Sequence, residues 1–484
     1  MADALRDYQI EDLGFLMKRK RGLLLHDPGG GKTPPACLFM YWVWKEHQGV
    51  SLWAMPTHLM AKNRDELLRF SNFKPEDVVI IRGSFSAARK EKLRKSGAKV
   101  FILSFQGLVG QRSGVPEWSK YSNVKCIVID EMHKAFSNAE SPSSASLMNA
   151  MRNTPLFCGM TGTIIKGRLN SAYVAMHICE PRFYGSYYDF MNQHSIRDFF
   201  GTVIGWKNHE KVAKILGQIS RRKTFDEIYG AQEIVFFIEH VEMAPSQKTA
   251  YDEYAAMGML ELDSMILSGA NEGVNLLRLR QILAHPERIS VPVEKDDSGK
   301  VLRTETVCLT DETTARDEKL KDHLEEHLSS GEPLLILSSL VPEQERVLKM
   351  CRDLGLSVEL INSDTLQTKR VKIDHAFKNG TLKVVVGSPK TMATGFNWPH
   401  LNHVLFLSLD YDHDDFIQAY RRAVRGKRTR PLRVTLIQYR DSVEQKQDDI
   451  LDRKSRESNA VDSTYEILNL SMEHRKGSKN VQSD

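Results

Sequence analysis

A chain of 484 residues, 41% hydrophobic and 27% charged, has the proportions of a soluble globular protein of two or three domains. Its longest wholly apolar run, Ala36 to Trp44, is too short to cross a bilayer, and the start MADALRDYQ lacks the basic-then-apolar order of a secretory signal, so a cytosolic protein is expected. A net charge of +5 does not by itself indicate a polyanionic partner, and six cysteines without a C-x-x-C pair suggest buried, reduced thiols rather than a zinc knuckle or disulfide framework.

In chain order, short apolar runs at 22–27, 50–55, 99–105, 125–130 and 156–162 form one group of predicted strands. A second group follows at 333–339, 357–362, 382–388, 403–408 and 433–439. Continuous apolar strands alternating with helices indicate parallel sheets covered on both faces, and two groups mean two α/β domains. Between them, roughly 165 to 285, the pattern turns helical, with helices expected over 248–269 and 272–286. The stretch 288–309 alternates around an Asp-Ser-Gly turn and reads as a β-hairpin, either a wedge at a duplex junction or a surface decoration. The end, HRKGSKNVQSD, is polar and reads as frayed, and no repeat of solenoid period is present.

The first predicted strand runs into Asp27-Pro28-Gly29-Gly30-Gly31-Lys32-Thr33, and a helix follows. Glycines let the backbone approach phosphate oxygens, and the N–H groups at a helix start face an anion. Lys32 would reach the β/γ-phosphates and the Thr33 hydroxyl would ligate magnesium. His26 stands where the pattern G-x-x-x-x-G-K-[ST] has its first glycine, while Pro34 and Pro35 fall in the first helical turn, where a missing N–H costs little. A second carboxylate site follows the apolar run 125–130: Asp130 would join the magnesium shell and Glu131 would polarise the attacking water. The basic stretch RRAVRGKRTRPLR (421–433) and the smaller RKEKLRK (89–95) are either solvated faces or phosphate contacts. The aspartate-rich run 410–416 reads as a polar loop, and a metal-dependent nuclease is not supported.

Taken together, these motifs resemble those of superfamily 2 helicases and translocases, Swi/Snf-like branch, in the expected order along nearly the whole chain. LRDYQIEDLGFL (5–16) resembles the adenine-recognition motif, with Gln9 as the base reader, and HDPGGGKT resembles motif I, whose first position need not be glycine. Residues 54–70 resemble motif Ia and 102–108 motif Ib, which implies nucleic-acid backbone contacts at Pro56, Thr57 and Ser104. VIDEMH is similar to motif II, with His133 completing the DExH box, and GMTGTI to motif III, with Thr161 and Thr163 coupling the two sites. Residues 242–254 and 277–289 resemble segments of the Swi/Snf-like branch. In the second half, the runs from 333 and 387 resemble motifs IV and V, implying nucleic-acid contacts at Ser338 and Lys390 and nucleotide contacts at Gly395 and Asn397. QAYRRAVRGKR matches motif VI and assigns Gln418, Arg422 and Arg425. A planar, permanently charged fork suits phosphate oxygens, and two arginines three apart share a helix face. Two departures stand out: Asn63 lies near where motif Ia often has tryptophan, and Met392-Ala393 replace the paired glycines of motif V.

The resemblance implies two RecA-like parallel-sheet domains with helical insertions between them, ATP and Mg2+ as cofactors, and DNA as partner, duplex or branched rather than single-stranded or RNA. The expected boundaries are 1–228, 229–455 with an insertion at 245–310, and a tail at 456–484. Nearest in organisation would be the compact phage or bacterial type, without histone-reading domains. Three further readings stand beside a DNA translocase: a strand-separating or branch-migrating helicase, an ATP-switched nucleic-acid binder without processive motion, and an RNA-directed helicase. No motif identifies a pathway such as recombination, repair or replication.

Overall fold

The central strands of the first half are almost wholly apolar, because both faces of their sheet are covered. The computed structural model describes residues 5–82, 96–109, 123–162, 164–165, 168–230, 233–262, 265–268, 272–295, 301–310, 313–392, 396–409, 413–424, 428 and 430–445. Two compact units divide the chain, one running to Ile228 and the other beginning at Tyr229.

In the first unit, β1 (Arg21–Leu24), β2 (Val50–Ala54), β3 (Val78–Ile80), β4 (Val100–Leu103), β5 (Val124–Ile129), β6 (Leu156–Met160) and, beyond an antiparallel hairpin of β7 (Ser195–Arg197) and β8 (Val203–Trp206), β9 (Ser220–Arg221) build the fold. The sheet order is β3-β4-β2-β5-β6-β1-β9, and all its pairings are parallel. Successive side chains divide between the two layers. Ile127 and Ile129 join one apolar cluster, while Cys126 and Val128 join the other. Helices α1 (Asp7–Arg19), α2 (Thr33–His47) and α3 (Met60–Phe70) supply the second of these layers. A parallel sheet sends every following loop out at one edge, so the residues after β1, β2, β4, β5 and β6 share that edge.

The second unit repeats the plan. Its sheet runs β10 (Ile234–Val241), β19 (Leu432–Tyr439), β18 (His403–Phe406), β15 (Leu334–Leu337), β17 (Val384–Gly387), β16 (Val358–Ile361), again all parallel. Both units are therefore RecA-like α/β sheets.

Three details differ from the sequence reading. The helix expected over 248–269 ends at Met257, because Gly258 takes a left-handed φ of 67° and stops it. Beyond it lies an antiparallel pair, β11 (Met259–Leu262) with β12 (Met265–Ser268). The short strands β3 and β9 and the edge strand β10 also went unread, the first two because two or three residues give no periodicity. The hairpin at 288–309 is present as β13 (Ile289–Lys295) and β14 (Val301–Val307). Its exposed Arg303 pairs with Glu294 and Glu305, an ion-paired surface with mixed charge.

The insertion is fastened to the second sheet by apolar packing of Tyr251, Tyr254, Ile282 and Ile289 with Tyr439, and by charge. Arg346 bonds both Glu287 carboxylate oxygens at 2.8 Å and Asp317 at 3.1 Å. Deeper, Arg316 is 1% exposed and meets Glu343 at 3.2 Å and Glu444 at 2.5 Å, with its guanidinium over the Tyr439 ring. Five of the six cysteines are buried and Cys308 is exposed.

Arg316→Met leaves two buried carboxylates without their shared cation. Removing one partner of a buried pair typically costs about 3–5 kcal/mol, so urea denaturation of the second unit should show a loss of that order. A loss below about 1 kcal/mol would mean that the carboxylates protonate at little cost.

Candidate nucleotide site and nucleic-acid surface

The loop after β1 is held from below and from the side. His26, fully buried, meets Asp12 of α1 through Nε2 at 2.6 Å, and Asp12 is 1% exposed. The Tyr8 ring stands edge-on to His26, and its hydroxyl donates to the Gly30 carbonyl at 3.1 Å. Gln9 donates from Nε2 to the Gly31 carbonyl at 2.8 Å and accepts the Arg6 N–H at Oε1. Thus the expected base reader is here a buried clamp on the loop, with both ends of its amide engaged.

Gly29 and Gly31 have φ of 87° and 64°, a region that side chains rarely enter. A Cβ on Gly30 would lie 2.7 Å from the His26 Cβ, so the histidine fills the floor on which the loop rests. Pro28 packs on Gly162, where a Cβ would come within 2.9 Å of it. Asp27 accepts the Phe225 N–H at 3.0 Å. The Lys32 ammonium donates to the carbonyls of His26 at 2.7 Å and Asp27 at 3.3 Å, curled over its own loop. Thr33 opens α2, with Pro34 and Pro35 at its first positions.

β5 ends two strands away from β1, with β6 between them. There Asp130 is buried and accepts from Asn63 at 2.8 Å and from the Glu131 N–H at 3.0 Å. Burial, with Glu131 adjacent, pushes the Asp130 carboxyl up to about 6, against the pull of Asn63 and the Lys32 charge. Glu131 has φ of 51°, a left-handed conformation that costs a non-glycine residue about 1–2 kcal/mol and re-aims its side chain at the strand end. His133 Nδ1 lies 2.5 Å from the Thr161 hydroxyl and 3.5 Å from Glu131 Oε2, which ties motif III to the carboxylate pair. A buried carboxyl whose ionisation is opposed by burial and by Glu131 is one that a divalent cation would stabilise, so Asp130 fits the magnesium role, with Thr33 at the start of α2 as the second candidate. Among the described residues no group of three or more His, Cys, Asp or Glu forms a further metal cluster.

Asn63, Asp12, Tyr8 and Arg221 were not singled out as site residues by motif. Asn63 read as a departure, yet it is the side-chain donor to Asp130. Arg221 in β9 reaches Asp12 at 3.7 Å and Glu11 at 2.5 Å. For Asp12 and Asn63 the signal in sequence was a polar residue on the inward face of a helix, and Arg221 gave none.

Of the expected nucleic-acid contacts, Thr57 is exposed and Pro56 half-buried just beyond β2, and Ser104 is half-buried just beyond β4, accepting from the Gly107 N–H at 3.1 Å. Lys390 is exposed after β17. Ser338 is not a surface residue: it is fully buried, and its hydroxyl bonds Glu343 and Ser408 within the Arg316 network. Gln418 and Arg422 are buried and Asn397 is exposed. The motif VI helix stops at Tyr420, so Arg422 lies in the turn after it rather than on a helix face. Arg425, Gly395 and Thr163, like the basic run 89–95 and the tail, lie outside the described residues. Arg428 is bonded to Ala423, Pro399 and Asn402, Arg430 to Glu332 and Arg433 to Glu326, so much of the basic cluster is engaged inside the fold.

Two family profiles match the chain: "Type III restriction enzyme, res subunit" over residues 3–166 and "Helicase conserved C-terminal domain" over 315–427. A CHD3-type chromatin-remodeling factor, CHR7, from Arabidopsis thaliana is 23% identical over 59% of this chain and 23% of its own length. Chromodomain-helicase-DNA-binding protein 1-like from Danio rerio is 23% identical over 91% of this chain and 42% of its own. The chain thus spans less than half the length of these curated relatives. Among solved structures, the DUF1998 helicase MrfA bound to DNA and AMPPNP shares the fold, with a TM-score of 0.53 and 14% identity over 94% of this chain and 50% of that one.

Gly31→Ala would bring a methyl group onto the Gln9 amide at a backbone angle that alanine avoids. The variant should melt lower than Gly14→Ala, where a Cβ meets nothing within 4 Å, by an amount worth roughly 1–2 kcal/mol. Equal melting would show that α1 does not clamp the loop.

Proposed function

The chain belongs to the superfamily 2 helicase-type, nucleic-acid-dependent ATPases of the Swi/Snf-like branch, and from that premise we propose that it is an ATP-driven translocase on duplex or branched DNA. The observation that carries the reading is the meeting of the Lys32 loop with Asp130 and Glu131 at one edge of one sheet, although sequence separates them widely.

Lys32 exchanges its two loop carbonyls for phosphate oxygens when nucleotide arrives, joined by the N–H groups at the start of α2. Thr33 and Asp130 hold Mg2+, which when bound neutralises phosphate charge. Glu131 orients the attacking water, and the Thr161–His133 contact lets a shift at the end of β6 reach it. Arg422 and Arg425 are the candidate arginine fingers for charge developing on the γ-phosphoryl group. Pro56, Thr57, Ser104 and Lys390 meet the nucleic-acid backbone, so binding is salt-sensitive and sequence-tolerant. The DNA-bound state of MrfA and the DNA-binding name of the zebrafish relative support DNA as the track.

The deciding experiment is ATP turnover without nucleic acid and with single-stranded DNA, duplex DNA, a four-way junction or RNA, at one salt concentration. Strongest stimulation by duplex or junction DNA supports the translocase. Stimulation confined to single strands or RNA would replace it by a conventional helicase, and ATP-dependent binding with little turnover by a switch. Lys32→Ala should abolish turnover while the protein stays folded. Arg422→Ala should bind ATP within about twofold of wild type and hydrolyse it roughly a thousandfold more slowly, the lower end of what an arginine finger contributes. If binding falls as far as hydrolysis, the arginine is not a finger.

The raised Asp130 carboxyl adds a pH dependence with a definite sign. Because its folded value is about 6, above the ordinary aspartate value of about 3.9, ionising it costs stability. That cost is absent below about pH 4 and complete above about pH 6, where a bound cation relieves it. The melting-temperature rise on adding Mg2+ and AMPPNP should therefore be larger at pH 7 than at pH 5, and Asp130→Ala should remove most of that difference.

A further inference from the structure

The antiparallel pair β7–β8 carries at its turn two adjacent phenylalanines in water. Phe199 is 96% exposed and Phe200 88%, their ring centroids 5.6 Å apart and the rings nearly perpendicular. Burying such rings against the body of the first unit would be worth a few kcal/mol, so their exposure needs an explanation.

Below the tip, the hairpin is fixed. Asp198 closes the turn: its N–H donates to the Thr202 carbonyl at 3.0 Å, and its Oδ1 accepts from the N–H groups of Phe200 and Thr202. Gly201 provides the left-handed residue, with φ of 84°. The base of the hairpin is rooted through His194, which contacts Tyr184 at 2.8 Å, and through Trp206 and Val203 packed on the core. That cluster also contains Phe105 and Leu108 of the short helix after Ser104, so the hairpin stands on the sheet face that carries a proposed nucleic-acid contact. The turn is a rigid mount for two rings rather than a slack loop.

The charge around the tip selects an occupant. Along Ser195–Lys207 the cations Arg197 and Lys207 are exposed, and the single carboxylate, Asp198, is engaged with the backbone of its own turn. Lys211 and Lys214 add exposed positive charge on the following helix. Apolar rings presented beside four exposed cations, against one exposed carboxylate, Glu210 on that same helix, are an arrangement that receives a base and its backbone. Ile196 and Ile204 of the same hairpin are also exposed, and with the two rings they supply far less continuous apolar area than a stable protein interface needs.

We propose that Phe199 and Phe200 form a stacking platform for a base exposed at a DNA branch or duplex end, giving the motor a preference for branched over continuous duplex. The proposal rests on the DNA-translocase reading and adds a substrate-selecting element that none of the helicase motifs contains. Stacking recruits unpaired bases whatever their identity, since every base has a π-face, so the preference is structural and not sequence-specific.

The test uses the full chain and a Phe199→Ala/Phe200→Ala double variant; the rings are outside the core, so the variant's melting temperature should match wild type. Binding to a forked duplex carrying 2-aminopurine at the branch is compared with binding to an unbranched duplex of equal length, alongside duplex-stimulated ATP turnover. Wild type should prefer the fork and quench the branch fluorophore. The double variant should lose at least about fivefold in fork affinity, the weak end of what a lost base stack costs, and lose the quenching, with duplex-stimulated turnover within about twofold of wild type. Phe199→Trp/Phe200→Trp should restore both. Unchanged fork affinity and quenching in the alanine variant overturn the proposal. So does wild-type sedimentation with phosphatidylserine vesicles that the alanine variant loses while its fork binding stays intact, which would assign the tip to a lipid surface. A wild-type ATPase indifferent to every nucleic acid would overturn the translocase and the tip's role together, whereas failure at the tip alone leaves turnover on duplex in place.

Discussion

The buried contact between His26 and Asp12 is the constraint on which the nucleotide site depends. A phosphate loop must be tight enough to aim its N–H groups inward and must hold that shape before any ligand arrives. Here the floor is an imidazole bonded to a carboxylate at almost zero exposure, and the glycine above it has no room for a side chain. Ionisable groups are expensive to bury singly, so each holds the other in place, with Arg221 near the outer carboxylate oxygen. Through Tyr8 and Gln9 the same helix grips the loop from the side. Helix α1, loop and β9 thereby act as one rigid part, and Lys32 and Thr33 inherit their positions from it.

Much of this arrangement was legible in the chain, and the reasons differ by element. Strands such as Val100–Leu103 and Leu334–Leu337 announce themselves because a parallel sheet buried on both faces leaves little room for a polar residue. The loop glycines and the Asp130-Glu131 pair are legible because backbone geometry and phosphate chemistry permit few substitutes. What resisted reading were relations between distant residues. Asn63 looked like a loss until its amide was seen to donate to Asp130, and Asp12 looked like one more polar helix residue until it met His26. Ser338 shows the opposite error: its place after a strand suggested a ligand contact, but the interior network around Arg316 had already claimed its hydroxyl. A helical pattern carried on through 248–269 failed at Gly258, where one left-handed residue outweighed the periodicity around it.

The second unit solves a different problem, that of attaching an insertion without loosening the sheet. Apolar side chains from the insertion close over the end of β19, while Arg346 and Arg316 join four otherwise separate stretches of chain by charge. Both Arg316 and Arg346 hold their protons more firmly than usual, because burial, which opposes the charge, is outweighed by the carboxylates around them. An interior organised in this way is specific about who its neighbours are.

The distribution of sulfur has a practical consequence. Burial pushes the thiols of Cys37, Cys126, Cys158, Cys179 and Cys351 upward, away from the reactive thiolate form, and leaves Cys308 as the accessible one. A maleimide dye added to the unaltered protein would therefore settle at one address, beside the end of β14 in the second unit. The wild-type chain thus arrives with its own attachment point for a fluorophore on that unit, without first rebuilding the cysteine content.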